Sequence, residues 1–143
     1  METPTQADLE LLRRIVGRMI PGSARYQLPG ADDPAIFGEV AAMLRAGSVP
    51  VGALVQAATE DKLGDRTAAA DQALFACLRE ADADAFAGLT LALAQCYYRD
   101  DRVMRALDME PRPPFPKGYE VAEGDWSLLE PVKRRSPLWR PPS

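Results

Sequence analysis

The chain contains no histidine. That absence removes the commonest general base near neutral pH and the commonest metal ligand. Ser-His-Asp and Cys-His catalysis are excluded within the chain, as is a histidine-ligated haem or zinc. Any chemistry would fall to carboxylates, Lys, Tyr or Cys alone. Cysteine is almost as scarce. Cys77 and Cys96 stand far apart and outside any CxxC pair, so no zinc or redox motif is indicated. Each lies in an apolar helical stretch. They read as two buried thiols or, should their Cα atoms come within about 7 Å, as a disulfide between neighbouring helices.

Positive charge is also in deficit. Seventeen basic residues face twenty-one acidic ones, giving a net charge of −4 and a sequence pI near 4.9. A general nucleic-acid binder has the opposite balance. Long apolar runs are missing. The longest, around Phe86 to Ala94, falls well short of the roughly 20 residues that span a bilayer. Met1 to Gln6 is polar and does not lead into an apolar segment, so no signal peptide is visible. The expectation is a soluble chain, cytoplasmic as it stands, with no direct membrane insertion. No stretch alternates with the period of a strand, and no internal repeat is evident. No glycine-rich turn follows a strand, and no acidic spacing resembles a calcium loop. No metal, cofactor or catalytic residue is assigned.

What is present is helical periodicity followed by an unusual tail. Thr5 and Asp8 resemble a capping box, after which Leu9, Leu12, Ile15, Val16, Met19 and Ile20 recur at helical spacing until Pro21 and Gly22. A loop from Gly22 to Asp33 follows. Asp33 with Pro34 opens a second helix, and Gly47 closes it. Ser48 is the expected cap of a third helix that ends at Gly64. A fourth helix is expected from about Thr67 to Arg79. A fifth starts at Asp82, with Phe86, Leu89, Leu93, Cys96 and Tyr97 inward. A sixth runs from about Asp101 to Leu107, with Val103, Met104 and Leu107 on its apolar side. The fold class expected is all-α: a small bundle of five to six helices over residues 1–110 with short connections.

Residues 111–143 read as an extended tail without a core of its own. Eight prolines between Pro111 and Pro142 forbid a long helix there. Yet Phe115, Tyr119, Trp126, Leu128, Leu129, Leu138 and Trp139 are too many large apolar groups for a solvated linker, since burying one is worth roughly 1.5–3 kcal/mol. Both tryptophans of the chain are in this tail. It is expected to lie against its own bundle or against another protein. PRPPFPKGY has polyproline II character and would serve as a PxxP ligand if exposed. Trp126 to Leu129 is expected to form a short turn with Trp126 as a plug. Lys133, Arg134, Arg135 and Arg140 form a basic cluster that is solvated or faces a partner.

The acidic pairs Asp32–Asp33, Asp82/Asp84 and Asp100–Asp101 invite a catalytic reading. Each sits at a helix start, where carboxylates cap free N–H groups and complement the helix dipole. Tyr97 continues the apolar face of the fifth helix, and Tyr98 belongs at its edge. The Gly22–Asp33 loop, with Ser23, Arg25 and Tyr26, is a binding loop or a connector pinned by Tyr26 and Leu28.

Two stretches carry a resemblance. The MIPGS and LPGADD segments, Met19 to Ser23 and Leu28 to Asp33, and the YYRDDRVMRALDMEPRPPFPKGY segment from Tyr97 to Tyr119 resemble the small subunit of membrane-bound gluconate dehydrogenase and its relatives. The similarity covers most of the helical body through motifs that are mainly structural. It implies a non-catalytic accessory chain without a cofactor of its own. In that family a large FAD-dependent subunit of the glucose–methanol–choline type oxidises a sugar or sugar acid, a cytochrome subunit often completes the complex, and the small subunit supports folding, stability or export. Relatives carry a twin-arginine signal. Here Arg13-Arg14 lies inside an amphipathic helix with no apolar export segment after it, so a periplasmic location would require export together with the partner. The residues expected to meet a partner are Tyr26, Leu28, Phe115, Tyr119, Trp126, Leu128, Leu129 and Trp139. The competing expectation is a stand-alone small-molecule binding module, its pocket lined by Tyr97, Tyr98, Phe115 and Trp126 between bundle and tail. A third is an enzyme working through Asp32, Asp33, Asp100 and Asp101 or a tyrosine.

Overall fold

Capping chemistry sets most of the helix starts. In the computed structural model, which describes residues 3–58, 63–64, 66–111 and 124–135, α1 (Gln6–Met19) opens with a complete capping box. The Asp8 N–H donates to the Thr5 hydroxyl at 3.2 Å, and the Thr5 N–H donates to the Asp8 carboxylate at 2.8 Å. These bonds hold the Asp8 carboxyl below the usual range. Asp33 caps α2 (Pro34–Arg45), accepting from Ala35 N–H at 3.0 Å, with Pro34 in the first turn. Thr67 caps α4 (Ala68–Ala81) and Asp82 caps α5 (Ala83–Tyr97). Asp100 caps α6 (Asp101–Ala106).

The short helix α3 (Gly52–Ala57) departs from expectation at its start. Its N-cap is Val51, with no side-chain cap bond, and Ser48 plays no such part. The reason lies at the end of α2. Gly47, at φ 77°, takes the left-handed conformation that glycine adopts without strain. Ser48 N–H then donates to Met43 O at 3.3 Å and Gly47 N–H to Leu44 O at 3.1 Å. This is a Schellman closure. Ser48 is thereby consumed in ending α2, and the chain runs on through buried Val49 and Val51 before turning into α3. The sixth helix closes in the same way, with Asp108 at φ 56° and Met109 N–H bonded to Met104 O at 2.8 Å. That closure turns Leu107 outward, so it is exposed rather than part of the apolar side.

The helices form an all-α body, and among the described residues there is no strand. α3 lies against α1, α4 and α5, while α5 also packs on α2 and α4. Leu12, Ile15, Val16, Val40, Leu44, Leu54, Leu78, Leu89 and Val103 are fully buried between them. Truncating one such leucine to alanine typically costs about 2–5 kcal/mol. Among the described residues, one charged side chain joins this core. Arg18 is buried at the end of α1, donating to Asp71 of α4 at 2.8 Å and to the Leu63 carbonyl at 2.6 Å. Cys96 is buried and Cys77 half-buried, and the two are not joined in a disulfide.

The chain divides into two units, Met1–Pro111 and Arg112–Ser143. In the second, the described residues form a 3-10 turn, Trp126–Leu129, that continues into α7 (Glu130–Lys133). No described helix is long and apolar enough to cross a membrane.

Candidate functional site

The loop from Ile20 to Asp33 is a fixed element. Ser23 and Leu28 exchange backbone hydrogen bonds at 2.9 and 3.0 Å, an antiparallel bridge closed through Gln27 at φ 54°. Ala31, fully buried, returns an N–H to Ile20 O at 2.9 Å. Arg13 Nε donates to Asp32 O at 2.8 Å, and the Tyr97 hydroxyl donates to Pro29 O at 3.0 Å. Gly17 lets the loop sit directly on α1, since a Cβ there would stand 2.8 Å from that of Asp32. Leu28 packs on the core, as a pin would. Tyr26 does not share that role. Its ring points outward, with the Arg25 guanidinium 5.3 Å above it. The bridge turns residues 24–27 away from the body, while Leu28 faces inward.

The paired carboxylates are engaged in joining helices. The Arg102 guanidinium donates to both Asp33 oxygens, at 3.0 and 2.7 Å, and to both Asp100 oxygens, at 3.0 and 2.9 Å. The same two carboxylates cap α2 and α6. Arg102 hydrogen bonding lowers the Asp33 pKa from the usual 3.8 to about 2 and also depresses that of Asp100. A carboxylate held so firmly ionised is a poor proton donor or acceptor near neutral pH. Asp101 pairs with Arg105 at 2.9 Å. Among the described residues no three His, Cys, Asp or Glu side chains gather as a metal site.

Tyr97 is buried, which raises its pKa, and it meets the exposed Tyr98 edge to face with ring centres 5.4 Å apart. With its hydroxyl on Pro29, Tyr97 is a core residue rather than the wall of an open pocket. Shallow clefts lie on the body. One of about 260 Å³ is lined by Ile36, Glu39, Cys96, Arg99 and Asp100. Another, of about 300 Å³, runs along Val49, Pro50 and Val51. Both stand at or below the bottom of the roughly 300–1,000 Å³ range of ligand pockets. Burial pushes the Cys96 thiol up, the reverse of what a nucleophile needs.

The second unit displays apolar side chains. Asp125 caps the 3-10 turn, accepting from Ser127 N–H at 3.0 Å, and hydrogen bonding to the Ser127 side chain, with that backbone bond, lowers its pKa. Lys133 pairs with Glu130 at 3.0 Å. On this frame Trp126 is 71% and Leu128 73% exposed, with Leu129 and Val132 also exposed. A turn of four residues has no second layer of its own to cover the Trp126 indole. Phe115, Tyr119 and Trp139 lie outside the described residues. So do Lys117, Leu138 and Arg140.

Two residues that matter to the site were passed over in the sequence. Arg102 links the caps of α2 and α6 across 69 positions, and only an arginine placed two after an N-capping aspartate hinted at it. Arg18 reaches Asp71, 53 positions away, and nothing in the local sequence at the end of α1 marks it for burial. Comparison with known proteins finds nothing similar: no family model, no curated protein and no solved structure matches the chain.

Proposed function

We propose that this chain is a non-catalytic accessory or maturation subunit that works by protein–protein contact. Its partner in this reading is the large FAD-dependent subunit of a glucose–methanol–choline type dehydrogenase, with a cytochrome subunit as a further member of the complex. The observation that carries the contact role is the exposure of Trp126 and Leu128 on one short capped turn, next to Leu129, Val132 and the basic Lys133, Arg134 and Arg135. Interface hot spots favour such large side chains, tryptophan above all, and the polar rim such charges. Burying the indole and the leucine against a partner is worth about 1.5–3 kcal/mol each. The choice of a flavoprotein rests on the resemblance of Met19–Asp33 and Tyr97–Tyr119 to the small gluconate dehydrogenase subunit. The proline-rich segment from Arg112 acts in this reading as a strap that carries Phe115, Tyr119 and Trp139 to the same partner. Exposed Tyr26 marks a second contact region on the fixed loop.

The test is gentle isolation of the tagged chain from its native host, followed by absorbance and mass spectrometry of what accompanies it. A co-purifying polypeptide with a flavin spectrum, lost on Trp126→Ala with Leu128→Ala, is the expected result. Recovery of the chain alone would overturn the proposal.

A further inference from the structure

The cleft of about 260 Å³ lies where the first turns of α2, with Ala35, Ile36 and Glu39, meet the end of α5, with Cys96 in its last turn and Arg99 and Asp100 just beyond. Its buried lining is apolar. Ile36 and Cys96 are nearly inaccessible, and the Cys96 thiol is spent on the Met43 sulfur at 3.6 Å. Its rim is charged. Asp100 is bonded through both oxygens to Arg102. Glu39 and Arg99 are exposed, and among the described residues neither side chain makes a hydrogen bond or an ion pair, with the other or with any third group. Both nevertheless act on the same thiol. Burial is the main cause of the raised Cys96 pKa; Glu39 raises it further and Arg99 opposes. An unpaired cation and an unpaired anion thus flank one apolar spot. Their placement is set by the packing of α2 on α5 and by the Arg102 clasp, which ties Asp33 at the head of α2 to Asp100.

We propose that this cleft binds a free α-amino acid with an aliphatic side chain, its carboxylate on Arg99, its ammonium on Glu39 and its side chain on Ile36 and Cys96. A guanidinium takes a carboxylate through two parallel hydrogen bonds, and an ionised carboxylate accepts from an ammonium. A simple anion on Arg99 would meet Glu39, and a simple cation on Glu39 would meet Arg99, each at a cost in repulsion. A small molecule that carries both charges is attracted at both ends. The volume sets the size. The cleft is too small for most drug-sized ligands, which fill roughly 300–1,000 Å³, and it admits a single amino acid. Because both charges are exposed, each contact contributes little, and the dissociation constant is on the order of millimolar. The residues assigned to a protein partner do not line this cleft, so the ligand and the partner make separate demands on the chain.

Titration of the full-length, isotope-labelled chain with L-leucine, followed through its amide NMR shifts, is the test. Two analogues accompany it: L-leucinamide, which lacks the carboxylate, and isocaproate, which lacks the ammonium. Saturable shifts are expected at residues 35–39 and 96–100, with each analogue binding about fivefold more weakly than leucine. Arg99→Gln should abolish the preference for leucine over leucinamide and keep the preference over isocaproate. Glu39→Gln should do the converse. Both positions are exposed, circular dichroism checks that the helices persist, and the comparison of the three compounds on wild type needs no variant. Absence of a saturable shift with leucine, equal binding of the three compounds, or shifts centred elsewhere would overturn the proposal. So would variants that leave both preferences as they were.

Discussion

Replacing Asp33 with asparagine isolates the ion-pair part of the Arg102 clasp. Asparagine is as good a helix cap as aspartate, so the α2 start keeps its bond to Ala35 N–H and loses chiefly the charge opposite Arg102. A carboxyl moved from 3.8 to about 2 corresponds to at most about 2 kcal/mol. The Arg102 side chain is 47% exposed, and solvent screening at such a site reduces the effect to about 1 kcal/mol. For a body of this size that is a fall in Tm of about 4 °C. The pH dependence has a definite sign. The folded carboxyl releases its proton more readily than the unfolded one, so the clasp contributes in full above about pH 4 and is lost as the pH falls towards about 2. Urea unfolding of wild type and Asp33→Asn should therefore differ by about 1 kcal/mol at pH 7, and the gap should narrow below about pH 4 and close as the pH falls through about 2. A double-mutant cycle with Arg102→Gln should give a coupling of similar size. A gap that persists unchanged at low pH, or a coupling below about 0.3 kcal/mol, would refute the argument.

Other perturbations probe separate elements. Arg18→Met removes a buried guanidinium and leaves Asp71 and the Leu63 carbonyl without their donor. A loss of about 2 kcal/mol in denaturant unfolding is expected, below the cost of breaking a wholly buried pair because Asp71 is partly exposed. Asp108→Gly relieves a left-handed backbone at the end of α6 and should raise stability by about 0.5–1 kcal/mol in thermal melts. Both cysteines should titrate as thiols without reductant in the denatured chain. In the native chain half-buried Cys77 should react with a thiol reagent well before buried Cys96.

The parts of the fold legible in the sequence are those decided by local chemistry. Thr5 with Asp8, Asp33 with Pro34, and Asp82 each announce a helix because a side chain bonds a backbone group within three residues. The inward residues of α1, α2 and α5 follow from periodicity alone. Ser48 misleads because a glycine closure just before it has a competing claim on its N–H. Tyr26 and Leu28 look equivalent in the sequence, and only the bridge between Ser23 and Leu28 separates them. The Arg102 clasp and the Arg18 anchor depend on groups 69 and 53 positions away, and no local pattern encodes such partners.

A single guanidinium joins the beginning of α2 to the beginning of α6. The first of those points ends the stapled loop, and the second lies a turn and a half before the polypeptide leaves the body. A pull on α6 therefore reaches Asp33 and the loop through short charge-assisted bonds as well as through buried Val103. The clasp acts as a mechanical coupling, and cutting it would let the two ends of the domain yield more independently.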